Sequence, residues 1–357
     1  MRSLLQHSSW QEVCDPTTWD RALASLPNPH ILQSWAWGEF KSRWGWRAER
    51  WLLRATDGTP RAAVQVLWQH PPRLPLCVLY APKGPLCADT DAYQAALRWV
   101  MARARARRAI WAKVDGEPPL PLPHARQLLA VEGWRYSPQQ IQFRNTAITD
   151  LRQSDAELLA AMKPKWRYNL RLAERRGVRV RLATTLSDAD AHLLYALYAE
   201  TARRDRFAIR TASYYYDAWR AMRGVALFAE REGETLAAGV LFCFGGKAWF
   251  FYGMSRSEGR EHMPNHLLQW HAMRWARDHG CHTYDWWGAP EDPHNPHDRL
   301  AGVWRFKEGA GARFVEGIGA WDYAPFPPAY RAYLRFSKLL HSLRSHRSSE
   351  LCANRSS

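Results

Sequence analysis

Residues 225–253 read "VALFAEREGETLAAGVLFCFGGKAWFFYG". Three runs rich in β-formers, 225–232, 235–244 and 247–253, are separated by glycine-bearing breaks, the pattern of consecutive antiparallel strands. A helix is expected from Pro264 to His279, then a strand "HTYDWWG" (282–288), a helix near Leu300 to Lys307, and a strand "RFVEGIGAWD" (313–322). The earlier half repeats this order. Its strands are 49–55, 62–69 and 76–81, followed by a helix from Asp91 to Arg107, a strand 109–115, a helix near His124 to Val131 and an extended stretch from Gln139 to about Thr149. The repetition predicts an internal duplication of one α/β unit with mixed sheets and flanking helices.

Between the halves, "SDAELLAAMKPKWRYNLRLAERRGVRVR" places Ser154 three residues before Glu157, a capping box. Pro164 then divides a short helix from a second, strongly basic one that stops at Gly177. A further helix runs from Ser187 toward Arg206, and "SYYYDAWRAM" from Ser213 is helical as well. The expected organisation is a first domain over 1–147, a second over 148–322, a basic helix over 328–346 packed on the first domain, and a frayed tail over 347–357.

The chain has 357 residues, enough for two domains, since single cores stop growing near roughly 250 residues. No apolar run approaches the roughly 18 residues of a membrane span. The amino-terminal apolar patch is too short for a secretory signal, so a cytoplasmic location is expected. Six cysteines lie scattered without a CxxC pair, as expected of buried thiols in a reducing compartment. Neither a cofactor nor a metal is called for. "EDPHNPHD" offers His294 and His297, but proline-rich context and the lack of a third strong ligand argue against a metal site.

Fifty basic against 34 acidic side chains give a formal charge of +16. Such an excess favours a polyanionic partner, whether RNA, a nucleotide diphosphate or an anionic membrane surface. Only eight of the fifty are lysines, so each lysine at a chemically plausible position carries weight. Lys41 lies within "QSWAWGEFKSRWGW" (33–46), closing its "WGEFK", where Trp35, Trp37, Trp44 and Trp46 are expected to form a packed wall around it.

Five ordered segments, "SWAWGEFK", "APKGPL", "MKPKWRYNLRLAERRGV", "YDWWGAP" and "WRFKEGAGARFVEGIGAWD", together resemble the FemABX peptidoglycan bridge-forming aminoacyltransferases. The resemblance implies two acetyltransferase-like (GNAT) domains in the compact form without a coiled-coil arm. It implies transfer of an amino acid from aminoacyl-tRNA to the side-chain amine of a stem peptide, carried on UDP-MurNAc-pentapeptide or lipid II. A monomer is expected, with peripheral contact to the inner membrane surface open to it. Lys41 and Arg210, with Tyr214 four positions on, match the grip on the acceptor diphosphate, and Lys83 and Gly84 match a loop near the acceptor. Tyr252, Phe306 and Lys307 match the donor side.

The chemistry asks for these residue types. Lysine supplies a point charge and arginine a bidentate fork to a diphosphate. A cation beside the ester carbonyl stabilises the oxyanion of the tetrahedral intermediate, the role expected for Lys307. The basic helix, through Lys163, Lys165, Arg167 and Arg171, offers phosphate contacts to tRNA. No dedicated general base is evident; Asp285, Glu308 and Glu316 lie near the motifs but suit structural roles. Two other functions remain open. An acyl-CoA-dependent GNAT enzyme would need a loop of backbone amides, for which "RSEGRE" (256–261) is an eroded match. A noncatalytic RNA- or membrane-binding protein could use the same scaffold.

Overall fold

The computed structural model describes residues 9–70 and 76–336. Two mixed sheets form, each flanked by helices. The first runs in the order Trp10–Glu12, Arg47–Arg54, Pro60–Gln69, Cys77–Ala81, Ala109–Val114, Trp321–Tyr323, Arg135–Tyr136, with Leu86–Cys87 paired to Pro60–Gln69. The second runs Arg313–Val315, Thr146–Asp150, Thr283–Asp285, Lys247–Ser255, Glu234–Phe244, Gly224–Arg231, Arg179–Ala183.

The duplication is visible in strand direction. Each half has an antiparallel meander whose last strand takes a parallel neighbour after a helix: Cys77–Ala81 with Ala109–Val114, and Lys247–Ser255 with Thr283–Asp285. Helix Thr90–Ala106 makes the first crossover and helix Pro264–Asp278 the second. Both bury an aliphatic face, Leu97 and Val100 in one, Leu268 and Met273 in the other.

Three expected strands are cut short. The 313–322 run divides: Arg313–Val315 joins the second sheet, while Trp321–Tyr323 inserts between two strands of the first. The 282–288 run ends at Asp285, because Trp287 takes a left-handed φ of 57°. Of the stretch from 139, only Thr146–Asp150 is strand, and it belongs to the second sheet. The chain thus crosses between sheets twice, at 137–145 and 316–320. Asn145 ties the crossings together by accepting from Gly317 N at 3.1 Å and donating to Pro290 O at 2.8 Å. The domain division expected at 147/148 falls inside strand Thr146–Asp150.

The capping box at Ser154 and the break at Pro164 occur as expected, giving helices Asp155–Ala161 and Pro164–Arg175. Residues 327–336 are helical, and Tyr330 packs with Val78, Tyr80, Ile110 and Trp111 on the first sheet. The rest of the expected 328–346 helix and the 347–357 tail lie outside the described residues.

One apolar cluster joins the halves. Ile31, Trp37, Phe40 and Leu67 pack with Tyr214, Trp219, Phe228, Phe242 and Trp249. Arg43 grips Asp217 at 2.7 Å, and Trp44 Nε1 donates to the same carboxylate at 2.8 Å. These contacts fix helix Trp35–Ser42 against helix Ala212–Ala221.

Candidate functional site

Helix Trp35–Ser42 starts at Ser34, whose Oγ accepts from Trp37 N. Its inner face carries Gly38, where a Cβ would stand 2.2 Å from Gln65 Oε1 and 2.4 Å from Arg50 Nη2, so the helix lies closer to the first sheet than any side chain permits. That approach seats Lys41, in the last turn, at the junction of the halves. Lys41 is 8% exposed. Its Nζ donates to Tyr214 Oη at 3.3 Å, and the Arg210 guanidinium sits 4.7 Å from the Tyr214 ring centre. No acidic partner within ion-pair distance of Lys41 or Arg210 occurs among the described residues. Burial and the neighbouring Arg210 lower the Lys41 ammonium to about 8. Two cations that repel each other and have no acidic partner among the described residues would be stabilised by an added anion.

A second feature is a cavity of about 910 Å³ in the second half. Lys307, Phe306 and Tyr252 all line it. Strand Lys247–Ser255 shapes one wall through a bulge: Val240 pairs with Tyr252 and Leu241 with Phe250, leaving Phe251 as the extra residue. Bulges re-aim side chains in this way beside binding sites. Phe251 stacks on Trp287 at 4.5 Å. Asp285 Oδ1 accepts from Trp287 N at 2.9 Å and from Thr146 Oγ1 at 2.5 Å, which turns the chain so that successive carbonyls point inward. Lys307 Nζ donates to the carbonyls of Trp287 and Gly288. Burial brings the Lys307 ammonium down to about 7, against a small opposing pull from Asp285. The Tyr252 phenol is pushed well above its ordinary range by burial and nearby tyrosines, so it remains a hydrogen-bond donor.

Lys41, Arg210 and Tyr214 do not line this cavity. Aromatic rings connect the two places: Tyr214 to Tyr215 at 5.5 Å and Tyr215 to Tyr252 at 5.7 Å. Lys83 does not line the cavity but touches two residues that do, donating to Phe143 O at 2.9 Å with its ammonium 5.9 Å from the Trp287 ring centre. Buried Asp115 holds the Lys83 backbone, accepting its N–H at 2.5 Å and the Tyr80 hydroxyl at 2.6 Å. Gly84 packs directly against Gln33, and Gly116 N donates to its carbonyl at 3.0 Å.

The basic helix is used unevenly. Lys163 pairs with Glu308 at 2.5 Å, and Arg167 donates to the carbonyls of Leu159, Ala160 and Met162, closing the end of the preceding helix. Lys165 and Arg171 remain exposed, beside Tyr168, which is 57% exposed. His294 and His297 sit in local turns, their N–H groups donating to Asp292 and Asn295. Among the described residues no His, Cys, Asp and Glu side chains gather in a group of three or more able to hold a metal.

Three contributors were not singled out for roles in the sequence: Asp115, Trp287 and Gln269. Gln269 lies one turn after Asn265 on helix Pro264–Asp278, and both line the cavity. Its Oε1 accepts from Tyr284 Oη at 2.6 Å. A polar residue on the buried face of an otherwise aliphatic helix was the available signal.

Known proteins with similar sequences and structures share this plan. The sequence profile of the acetyltransferase (GNAT) domain family matches residues 161–307. A lipid II:glycine glycyltransferase from Staphylococcus aureus is 27% identical over 393 aligned positions, covering 87% of this chain and 92% of that protein. The crystal structure of FemX superposes with a TM-score of 0.80 at 25% identity, covering 91% of this chain and 99% of that one. A tandem GNAT protein from the clavulanic acid biosynthesis pathway, at a TM-score of 0.55, 15% identity and coverages of 89% and 98%, shares the fold.

Proposed function

We propose, from the premise that the chain belongs to the FemABX family of peptidoglycan bridge-forming aminoacyltransferases, that it moves an amino acid from aminoacyl-tRNA to a stem-peptide amine on lipid II or UDP-MurNAc-pentapeptide. The observation that carries this reading is the pairing of a Lys41–Arg210 site, without an acidic partner among the described residues, with a cavity holding Lys307, joined by the Tyr214–Tyr215–Tyr252 rings. The first half would hold the acceptor and the second the donor.

The acceptor diphosphate would bind between Lys41 and Arg210, and its peptide would follow the rings into the cavity. Two ring steps of 5.5 and 5.7 Å set a path on the order of 10 Å, the reach of about three extended residues. There the amine meets the ester carbonyl beside Lys307. The Tyr252 phenol and the Gln269 amide are neutral donors on the same walls, suited to a carbonyl oxygen that gains charge. Lys165, Tyr168 and Arg171 would contact the tRNA acceptor arm.

Acyl-CoA as donor is disfavoured by the loop before helix Pro264–Asp278. A pyrophosphate cradle needs free amides. In the loop 256–261 the first two amides are taken, Arg256 N donating to Leu236 O and Ser257 N to Glu200 Oε1, and Glu261 stands where such a cradle ends in a small residue. No described helix is long and apolar enough to cross a membrane. Contact with a membrane-borne acceptor would be peripheral, and exposed Phe326 and Phe336 near the end of the described chain suit it.

The test is incubation with charged tRNA pools and either UDP-linked or lipid-linked stem peptide, followed by product mass. A mass increase of one or more aminoacyl residues supports the reading; modification only with acetyl-CoA replaces it.

A further inference from the structure

An amine attacking an ester must shed a proton, and the leaving ribose oxygen must gain one. Among the described residues no histidine lines the cavity, and the carboxylate that does, Asp205, is ion-paired with Arg204 at 3.0 Å. Asp285 does not line the cavity, and its Oδ1 is taken by Thr146 Oγ1 and Trp287 N. Lys307 is the remaining candidate with the right geometry. Its Nζ gives two hydrogens to fixed backbone carbonyls, those of Trp287 and Gly288. A neutral amine held by two N–H bonds has its lone pair as the remaining position; an ammonium has its third N–H there. The side chain is 8% exposed, lines the cavity, and has no carboxylate within ion-pair distance among the described residues.

We propose that Lys307 is the proton carrier of the transfer step, an inference that rests on the cavity's being the donor site. The acceptor nitrogen attacks the ester carbon, the C=O electron pair moves to oxygen, and the nitrogen becomes positive. The Lys307 lone pair takes a proton from that nitrogen. Lys307 becomes a cation at the moment the tetrahedral oxygen is negative, so charge stabilisation follows from the proton transfer itself. The oxygen's electron pair then re-forms C=O, the bond to the ribose oxygen breaks, and that oxygen takes the proton from the third N–H of Lys307. An amide and a free ribose hydroxyl result, and Lys307 is neutral again.

The environment keeps the neutral form accessible. The cavity that Lys307 lines also holds Tyr252 and Tyr198, the Arg204–Asp205 pair and exposed Arg260 and Arg299, while Asp285 acts on Lys307 from outside the lining. Burial dominates over the pull from Asp285 and leaves the group near 7, where a carrier can both accept and return a proton.

The test compares single-turnover transfer by the wild-type protein, Lys307→Arg and Lys307→Ala, with folding checked by thermal unfolding and acceptor binding. Arginine preserves the cation but does not deprotonate. The expected result is a rate loss of about a hundred- to ten-thousandfold in Lys307→Arg with acceptor binding retained. Small primary amines should rescue Lys307→Ala, and the wild-type rate should rise through about pH 7. A folded Lys307→Arg with near-wild-type rate, or a wild-type rate that falls as pH rises through 7, overturns the carrier role alone. Absence of any wild-type transfer from charged tRNA overturns the donor-site reading and this inference with it.

Discussion

Lys41 Nζ lies 3.3 Å from Tyr214 Oη, a contact between residues 173 positions apart that brings a buried cation of the first half onto the second. Arg210 approaches the same tyrosine from its ring face. Lys41→Ala and Arg210→Ala are each expected to raise acceptor KM about ten- to a hundredfold, the worth of one charge-assisted hydrogen bond, with little change in kcat. Steady-state kinetics with varied acceptor measure this, and unchanged KM in both variants removes the diphosphate assignment.

The two buried lysines predict the pH profile. Lys307 must be neutral to accept a proton, so activity increases as pH rises through about 7. Lys41 must be charged to hold an anion, so acceptor capture weakens as pH rises through about 8. A bell-shaped kcat/KM with flanks near those values is expected. In Lys41→Ala the alkaline flank should disappear while the acid flank stays.

The basic helix separates binding from stability. Lys165→Glu and Arg171→Glu should weaken tRNA binding and reduce the slope of log affinity against log salt by about 1 per lost phosphate contact. Arg167→Ala should instead lower thermal stability, because its guanidinium closes the carbonyl end of helix Asp155–Ala161. Filter binding over a salt series, with parallel melting curves, distinguishes the two.

Gly38→Ala should destabilise the protein by about 1–3 kcal/mol, since the added methyl meets Gln65 and Arg50 rather than open space. Denaturant titration measures the loss. A neutral substitution would mean that helix Trp35–Ser42 can shift without cost, which contradicts its role in seating Lys41.

Strand and helix order was legible because β-former runs broken by glycine, the Ser154 capping box and Pro164 act locally. Which sheet receives Trp321–Tyr323 was not legible: pairing is decided by long-range contacts that leave no periodicity in a three-residue strand. The left-handed turn at Trp287 was hidden for a related reason, since a bulky residue adopts it only when Asp285 and Phe251 hold it there. Resemblance, rather than spacing, brought Lys41 and Arg210 together in advance. Gln269 stayed unassigned because its helix reads as ordinary core until the cavity beside it is seen.

The most direct measurement is a structure of the protein bound to a UDP-linked stem peptide. The account predicts a diphosphate between Lys41 and Arg210, with the acceptor amine in the cavity beside Lys307. A diphosphate bound elsewhere, or an amine directed away from Lys307, would contradict it.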